Sequence, residues 1–418
     1  MQNGYFLGVD LGTTTVAAAL VNRKNSVISS KSISNFQYPE FGLDSIKRIQ
    51  SGLDLNSVKK LQQKAIATIN ALIDDIKKET GIGYSDIEIV AIAGNTVMEM
   101  ALCGYPLISL SKPPYRPAAD VSFPDKTSFL PDFYLKNREL FIFPILDGFV
   151  GGDAVASIYY LSLEKRDKPV FLADFGTNVE IAIGNKRKIY TASAPAGPAF
   201  EGGNIKYGMT AETGAISDVE LKNGAFKLKT VAAARPRGIC GSGIMSLIHE
   251  LLRENVIDRS GRILPPGLID SESYPVIDAK NGRPEVVLYF DGKVNIRLFQ
   301  EDVRQFQLAK SAVKSASAIL MEKFKISGSD DFDVYLSGTF GSHIKPEIID
   351  LIDIFPFKGK RINFIEDSVL LGCQKYVTSK PSERENDLSN IIKISKNFPL
   401  SGSKLFEKRF IGNISFLP

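Results

Sequence analysis

Two segments of this 418-residue chain repeat one chemical pattern. Leu7 to Val21 reads LGVDLGTTTVAAALV, and Leu172 to Gly184 reads LADFGTNVEIAIG. Each is an apolar strand ending in Asp, then x-Gly-Thr, then a second apolar strand. Asp10, Gly12 and Thr13 therefore correspond to Asp174, Gly176 and Thr177. A tight turn of this composition exposes successive backbone N–H groups, which attract anionic oxygens, and glycine lets a phosphate come close to the backbone. Thr14 and Asn178 add polar donors beside the glycines. An Asp at the strand end can hold Mg²⁺ or its water, because hard cations take oxygen ligands. One such turn is equally well an ordinary hairpin opened by Asp. Two of them, each between apolar strands, are expected to meet one polyphosphate from opposite sides. Asp10 and Asp174 would then share one cation.

Four further segments could serve the same ligand. Val334 to Ser342 (VYLSGTFGS) is a strand followed by a glycine turn at Gly338 and Gly341 and then a helix, which suits a nucleotide or is a plain strand–turn–helix. Gly238 to Gly243 (GICGSG) leads into an apolar helix; Gly241 and Ser242 would approach a ribose or phosphate, or the glycines would only permit tight packing. Asp147 to Asp153 (DGFVGGD) places two acids around glycines. Asp153 is a candidate general base or a helix N-cap. Lys310, on a long helix, is assigned near the nucleotide, although a lysine there can simply face solvent. Glu180 and Glu201 are further candidate acids.

Strands and helices must alternate to position these turns. Leu53 to Thr80 has helical spacing of Leu61, Ala65, Ile69, Leu72 and Ile76 and stops at Gly81-Ile82-Gly83. Strands are expected at Ile87–Ala93, Phe141–Leu146, Asp333–Ser337 and Ile362–Phe364. Hairpins are expected around Asn223-Gly224 and Asp291-Gly292, and helices over Ile244–Glu254 and Glu301–Lys323. Lys112–Pro131 is expected to be irregular, and Ser379–Asp387 to be a polar linker. The alternation predicts an α/β class, and the long-range repeat predicts two similar halves.

Composition narrows the function classes. Hydrophobic residues make up 44% of the chain, enough for a sizeable core, and 51 basic against 47 acidic residues leave a formal charge of only +4. No basic stretch interleaved with aromatics suggests nucleic acid. Cys103, Cys240 and Cys373 never form a C-x-x-C, so no cysteine zinc site or iron–sulfur cluster is expected. The two histidines, His249 and His343, cannot build a histidine-rich metal centre, and His249 is expected to be structural. No signal peptide or membrane helix is visible, and a cytoplasmic protein is expected.

The paired Asp-x-Gly-Thr turns with the later strand–glycine turn resemble the phosphate and adenosine motifs of the acetate kinase, sugar kinase, heat-shock chaperone and actin superfamily. Asp147–Ala156 and Asp367–Tyr376, with Gly372, look like its two connecting helices. The resemblance implies a duplicated ribonuclease-H-like (actin-like ATPase) fold, two lobes with ATP and Mg²⁺ in the cleft. It places one lobe at 1–155, the second at 156–378, and a tail at 379–418 packing on the core. Within that superfamily the chain is most similar to the ATP-dependent reductive activators of corrinoid proteins. The residues that carry this run along nearly all of it: NFQYPEFGLD with Asn35, Gln37, Gly42 and Asp44, GNTVMEMALCG from Gly94, and GFVGGD from Gly148. They continue with DFGTNVEIAIGN, AGPAFEGGNIKYGM, GICGSG, VIDRSGRI, QLAKSAV, LSGTFGSHIKPE and the SFLP tail.

The implied function is ATP-coupled reduction of an oxidised corrinoid, Co(II) to Co(I), in cobalamin-dependent methyl transfer. The implied partner is a corrinoid protein or corrinoid-dependent methyltransferase, and a homodimer is one expected arrangement. Full-length relatives carry iron–sulfur domains. No cysteine cluster stands here, so either a separate low-potential donor supplies the electrons, or this chain is an ATPase module only, or the family role has diverged. A small-molecule kinase of the same superfamily, with Asp153 as base, is the alternative.

Overall fold

The first apolar repeat folds as a hairpin within a five-stranded sheet. In the computed structural model, which describes residues 4–38, 40–42, 44–118, 130–135, 138–269, 276–278, 282–338 and 344–416, β1 (Tyr5–Leu11) runs antiparallel to β2 (Thr15–Asn22), and β2 antiparallel to β3 (Val27–Ser34). After α1 (Ser45–Ser51) and α2 (Leu55–Thr80), β4 (Ile87–Gly94) lies parallel to β1. The short α3 (Thr96–Leu102) follows, and β5 (Glu139–Ile142) adds parallel to β4. The strand order is β3-β2-β1-β4-β5.

The expected long helix is present as α2, with its expected stop. Asp54 accepts the N–H groups of Asn56 and Ser57 at its start, and Gly81 ends it at φ +73°, a backbone conformation that costs glycine no Cβ clash. Its apolar stripe of Ala65, Ile69, Leu72 and Ile76 packs on Leu7, Val9, Leu20, Val90 and Ile92 of the sheet. The strand expected at Phe141–Leu146 is shorter than its apolar run and ends at Ile142; beyond it only the Phe143 N–H continues the pairing, to the Ile92 carbonyl.

After α4 (Gly152–Leu161) the pattern returns with β6 (Val170–Phe175), β7 (Val179–Asn185) and β8 (Lys188–Ala194). Then come β9 (Ala215–Lys222), β10 (Ala225–Thr230), β11 (Gly238–Ile239) and α5 (Gly241–Arg253). They are followed by β12 (Val276–Asp278), β13 (Pro284–Phe290), β14 (Asn295–Leu298) and α6 (Gln300–Phe324). The chain continues through β15 (Asp333–Gly338), α7 (Pro346–Ile352), β16 (Ile362–Ile365) and α8 (Ser368–Thr378). It ends with α9 (Pro381–Ile394), β17 (Ser395–Asn397) and α10 (Lys404–Gly412).

The second large sheet has the order β16-β15-β6-β7-β8-β17. Without the edge strand β17, it reads β8-β7-β6-β15-β16, the same order as β3-β2-β1-β4-β5 with β6 in the place of β1. The sequence repeat is thus a repeat of topology, and Asp10 and Asp174 occupy equivalent ends of equivalent strands. Both expected hairpins form, as β9–β10 and β13–β14 in separate three-stranded sheets.

The chain divides into two compact units that are discontinuous in sequence. One comprises Met1–Pro169, Gly184–Ala192 and Asp367–Phe398; the other comprises Val170–Ile183, Ser193–Glu366 and Pro399–Pro418. Within the first, α4 and α8 cross closely. Ser157 and Ser368 share a hydrogen bond of 2.7 Å, and a Cβ on Gly372 would stand 2.2 Å from the Ala156 carbonyl. Tyr376 of α8 stacks on Phe141 of β5 at 3.8 Å. Cys373 of α8 lies under β1, where Gly8 leaves room for it.

One expectation is corrected. Ser379–Asp387 is no linker, because Pro381–Ile394 is helical and buries Leu388 and Ile391. Proline at its first position fits a helix start, and the polar run apart from Arg384 lies on that helix's outer side.

Candidate functional site

The first Asp-x-Gly-Thr turn joins β1 to β2, and side chains from three other segments hold it from behind. Asn35 donates its side-chain amide to the Gly12 carbonyl at 2.9 Å, and its backbone N–H donates to the Thr14 carbonyl at 2.8 Å. The Arg48 guanidinium donates to the Thr13 carbonyl at 3.0 Å, and the Asn95 amide to the Thr13 hydroxyl at 2.8 Å. All three carbonyls of the turn are thereby engaged. Among the described residues, the N–H groups of Gly12, Thr13 and Thr14 donate no hydrogen bond. A buried or half-buried row of unsatisfied N–H groups is costly unless water or an anion meets it. Gly12 must lack a side chain, since a Cβ would lie 2.3 Å from the Thr15 carbonyl.

Two acids, Glu99 of α3 and Asp153 of α4, lie close together, and α3 adjoins the turn through Asn95. Asn95 caps α3 by accepting the Met98 N–H, and Glu99 of the same helix is fully buried. Glu99 accepts the Gly94 N–H at 3.0 Å and the Gly152 N–H at 3.3 Å, so it ties the end of β4 to the start of α4. Gly151 and Gly152 make this approach feasible; Cβ atoms there would lie 2.4 Å from the Thr96 nitrogen and 2.2 Å from Glu99 Oε1. Burial lifts the Glu99 carboxyl well above its ordinary range, and the nearby Asp153 charge adds to this. Asp153, in the first turn of α4, is pushed up by burial to about 6, against backbone N–H groups that favour its ionised form. It is half-buried and accepts its neighbour Ala154's N–H at 2.7 Å. Asp147 instead serves structure, its carbonyl accepting from Thr96 and its carboxylate from Asn397.

The second turn is held differently. The Gly176 N–H returns to the Asn178 carbonyl at 2.9 Å, while the N–H groups of Thr177 and Asn178 donate nothing among the described residues. The Thr177 hydroxyl donates to Glu201 at 3.0 Å, and burial raises the Glu201 carboxyl above its usual range. Among the described residues, a Cβ on Gly176 would meet nothing nearer than the Asn178 carbonyl oxygen at 3.6 Å. Glu180 accepts from Ser193 at 3.0 Å.

The remaining assigned residues fall in several places. Gly338 closes β15 at φ +97°, where a Cβ would lie 2.1 Å from the Phe175 carbonyl, one residue before Gly176. Gly241 opens α5 against the Phe200 carbonyl, which a Cβ would approach to 1.8 Å, and the Ser242 hydroxyl donates to the Ser217 carbonyl. Both therefore already have packing or bonding roles within the protein. Lys310 is fully buried. Its ammonium donates to the Ser415 carbonyl at 2.8 Å, stands 3.9 Å from Asp353 and lies over the Phe416 ring. Burial lowers it to about 8. Lys310 thus holds the C-terminal segment rather than facing solvent. Gly341 lies outside the described residues. His249 pairs with its helix neighbour Glu250. Among the described residues, no three His, Cys, Asp or Glu side chains group as a metal site, and no helix is long and apolar enough to cross a membrane.

Two family models account for nearly the whole chain. One, described as the C-terminal domain of RACo, the ASKHA domain, matches residues 168–418, and another, the RACo middle region, matches residues 5–166. The chain belongs to the RACo family.

Among RACo relatives, the corrinoid activation enzyme RamQ of Eubacterium limosum is 30% identical, over 99% of this chain and 70% of RamQ. A Methanosarcina barkeri protein, the [Co(II) methylated amine-specific corrinoid protein] reductase, is 25% identical over 68% of this chain and 52% of its own length. The solved structure of a reductive activator for corrinoid, iron-sulfur protein superposes with a TM-score of 0.84 at 28% identity, over 99% of this chain and 66% of that one. The chain thus spans about two thirds of that solved activator and about half of the M. barkeri reductase. The expected ASKHA fold and the expected kinship with corrinoid activators both stand.

Three residues at the first turn were not singled out in the sequence. Asn95 and Glu99 lie inside the GNTVMEMALCG segment that carries the family resemblance, but nothing in their spacing ties them to Thr13 or Gly152. Arg48 lies just past the NFQYPEFGLD segment, where an arginine on a short helix reads as solvated. Its burial was the missing signal.

Proposed function

We propose that this chain binds and hydrolyses ATP and couples that reaction to reductive reactivation of a corrinoid protein, Co(II) to Co(I). The observation that carries the reading is the first turn. Its carbonyls are pulled back by Asn35 and Arg48 and its N–H groups are left open, as an anion-binding nest requires. The names of the relatives supply the corrinoid partner.

In this reading Gly12, Thr13, Thr14, Gly176, Thr177 and Asn178 bind phosphate oxygens, and Asp10 and Asp174 hold Mg²⁺ and its water. The donor set fits such an ion, because Mg²⁺ keeps several waters and takes few carboxylates besides the phosphates. Bound Mg²⁺ would neutralise charge on the transferring phosphoryl group. Asp153, lifted to about 6, is ionised at neutral pH yet basic enough to take a proton from water. Gly241, Ser242, Gly338 and Gly341 are assigned near adenosine or ribose. Lys310 has a weaker claim, because its ammonium is engaged by Ser415. Hydrolysis yields ADP and phosphate, and the electron comes from a separate low-potential donor.

The test mixes the chain with ATP, a Co(II) corrinoid protein and a low-potential donor and follows the Co(I) absorbance. ATP-dependent growth of that signal is expected; its absence with the corrinoid partners of the relatives overturns the reading. ATP consumption that appears only with a small hydroxylated acceptor would favour the kinase alternative, which no named relative supports.

A further inference from the structure

Arg48 is a buried cation that makes no ion pair among the described residues. It is 1% exposed. Its three hydrogen bonds run to the Gly42 carbonyl at 2.9 Å, to the Gln37 side-chain oxygen, and to the Thr13 carbonyl at 3.0 Å. All three partners are neutral. Asp44, which caps α1 by accepting the Lys47 N–H, is the acid whose charge favours the guanidinium; burial outweighs it and lowers the group to about 10. A guanidinium held this way is costly, because hydrogen bonds to neutral groups do not replace a counter-ion.

The position of the cation suggests what balances it. A peptide unit joins one residue's carbonyl to the next residue's N–H. Arg48, donating to the Thr13 carbonyl, polarises the Thr14 N–H. Asn35, donating to the Gly12 carbonyl, polarises the Thr13 N–H in the same way. Polarisation passes along hydrogen-bonded chains in this sense. These two N–H groups are among those that donate to nothing in the described residues. Gln37 completes the support by accepting from Arg48 while donating its amide to the Leu61 carbonyl at 2.9 Å, which anchors the group to α2.

We propose that Arg48, with Asn35, is a positioning residue for polyphosphate, acting through the Thr13 and Gly12 peptides, and that the counter-ion of its buried charge is the nucleotide's phosphate chain on the far side of the turn. The inference rests on the nucleotide reading above and deepens it. It explains why an arginine rather than an apolar residue fills this site: its charge reaches the phosphate chain through the peptides of the turn.

The experiment measures affinities of the full chain for MgATP and for adenosine by competition with a fluorescent nucleotide, together with ligand-free thermal midpoints. Arg48→Met is expected to weaken MgATP tenfold or more and adenosine less than twofold. Its ligand-free midpoint should fall, since the Gly42, Gln37 and Thr13 oxygens lose their donor, so the assignment is read from the MgATP-to-adenosine selectivity and not from stability. Arg48→Lys should recover part of the MgATP affinity. Arg48→Met with MgATP affinity within twofold of the unaltered chain, or with ATP and adenosine weakened equally, overturns the assignment. If Arg48→Met does not fold, Asn35→Ala, which changes no charge, takes its place with the same selective loss expected and the same equal loss overturning it. An unaltered chain that binds no MgATP overturns the nucleotide reading itself, and this assignment with it.

Discussion

Burial lifts the Asp153 carboxyl from 3.8 to about 6, and this has two consequences of opposite sign. Between those values the folded protein holds a proton that the unfolded chain has released. Stability is therefore highest at the acid end of this window and falls as pH rises through about 6. The buried Glu99, also raised, adds to the same slope. Asp153→Asn should flatten stability against pH over that window, measured by urea midpoints at a series of pH values. If Asp153 is the base, ATP turnover should instead rise through about pH 6, and Asp153→Asn should lose that limb. Asp10→Asn should lower turnover by about 100-fold or more while nucleotide still binds, as loss of a group that orients the water would. At this scale the sequence was legible where chemistry repeated. Asp10, Gly12 and Thr13 stood out because Asp174, Gly176 and Thr177 echo them. Asn95 and Arg48 were silent because each reaches the turn only after folding, and Glu99 because it meets Gly152 only then; their types do not announce a binding role. The burial of Lys310 was silent for a related reason: its partner Ser415 lies 105 residues further on.

Single elements show where pattern outruns or lags behind physics. The long helix α2 was readable because its apolar stripe, Asp54 cap and Gly81 stop agree. The helix α9 was not, because SERENDLSN is polar and only Arg384, Leu388 and Ile391 form its buried stripe. The α4–α8 crossing depends on Gly372, and Gly372→Ala should cost about 1–3 kcal/mol by overpacking against Ala156, read from a lowered thermal midpoint. The C-terminal segment offers a coupling test. Removing residues 413–418 takes away the Ser415 carbonyl and the Phe416 ring from a buried ammonium. That truncation should cost less stability in a Lys310→Met background than in the unaltered chain, because breaking one side of a buried polar pair is worse than removing both. Equal losses in the two backgrounds would show that Lys310 and the tail act independently.

At the scale of the whole molecule, the duplication was legible and the division into units was not. The repeated strand order, β3-β2-β1-β4-β5 against β8-β7-β6-β15-β16, follows from the repeated hairpins that open each half. The sequence expectation divides the chain at 155 and 378, with the tail 379–418 packing on the core. The first unit instead recruits α8 and α9 from near the far end. Without them, α4 loses the Ser157–Ser368 bond and β5 loses the Tyr376 ring that covers Phe141. A fragment ending at residue 169 should accordingly show no cooperative unfolding transition and should bind a hydrophobic dye. Co-expression with the remainder should restore both properties.

That recruitment also sets an order in time. A ribosome finishes residue 169 long before residue 367, about 200 residues later, which at about 5–20 residues per second is roughly 10–40 s. Throughout that interval β1 lacks Cys373 and its helix beneath it, so the strand that carries Asp10 is held on one face only. The nascent first half must wait, shielded or partly formed, for the chain to come back to it.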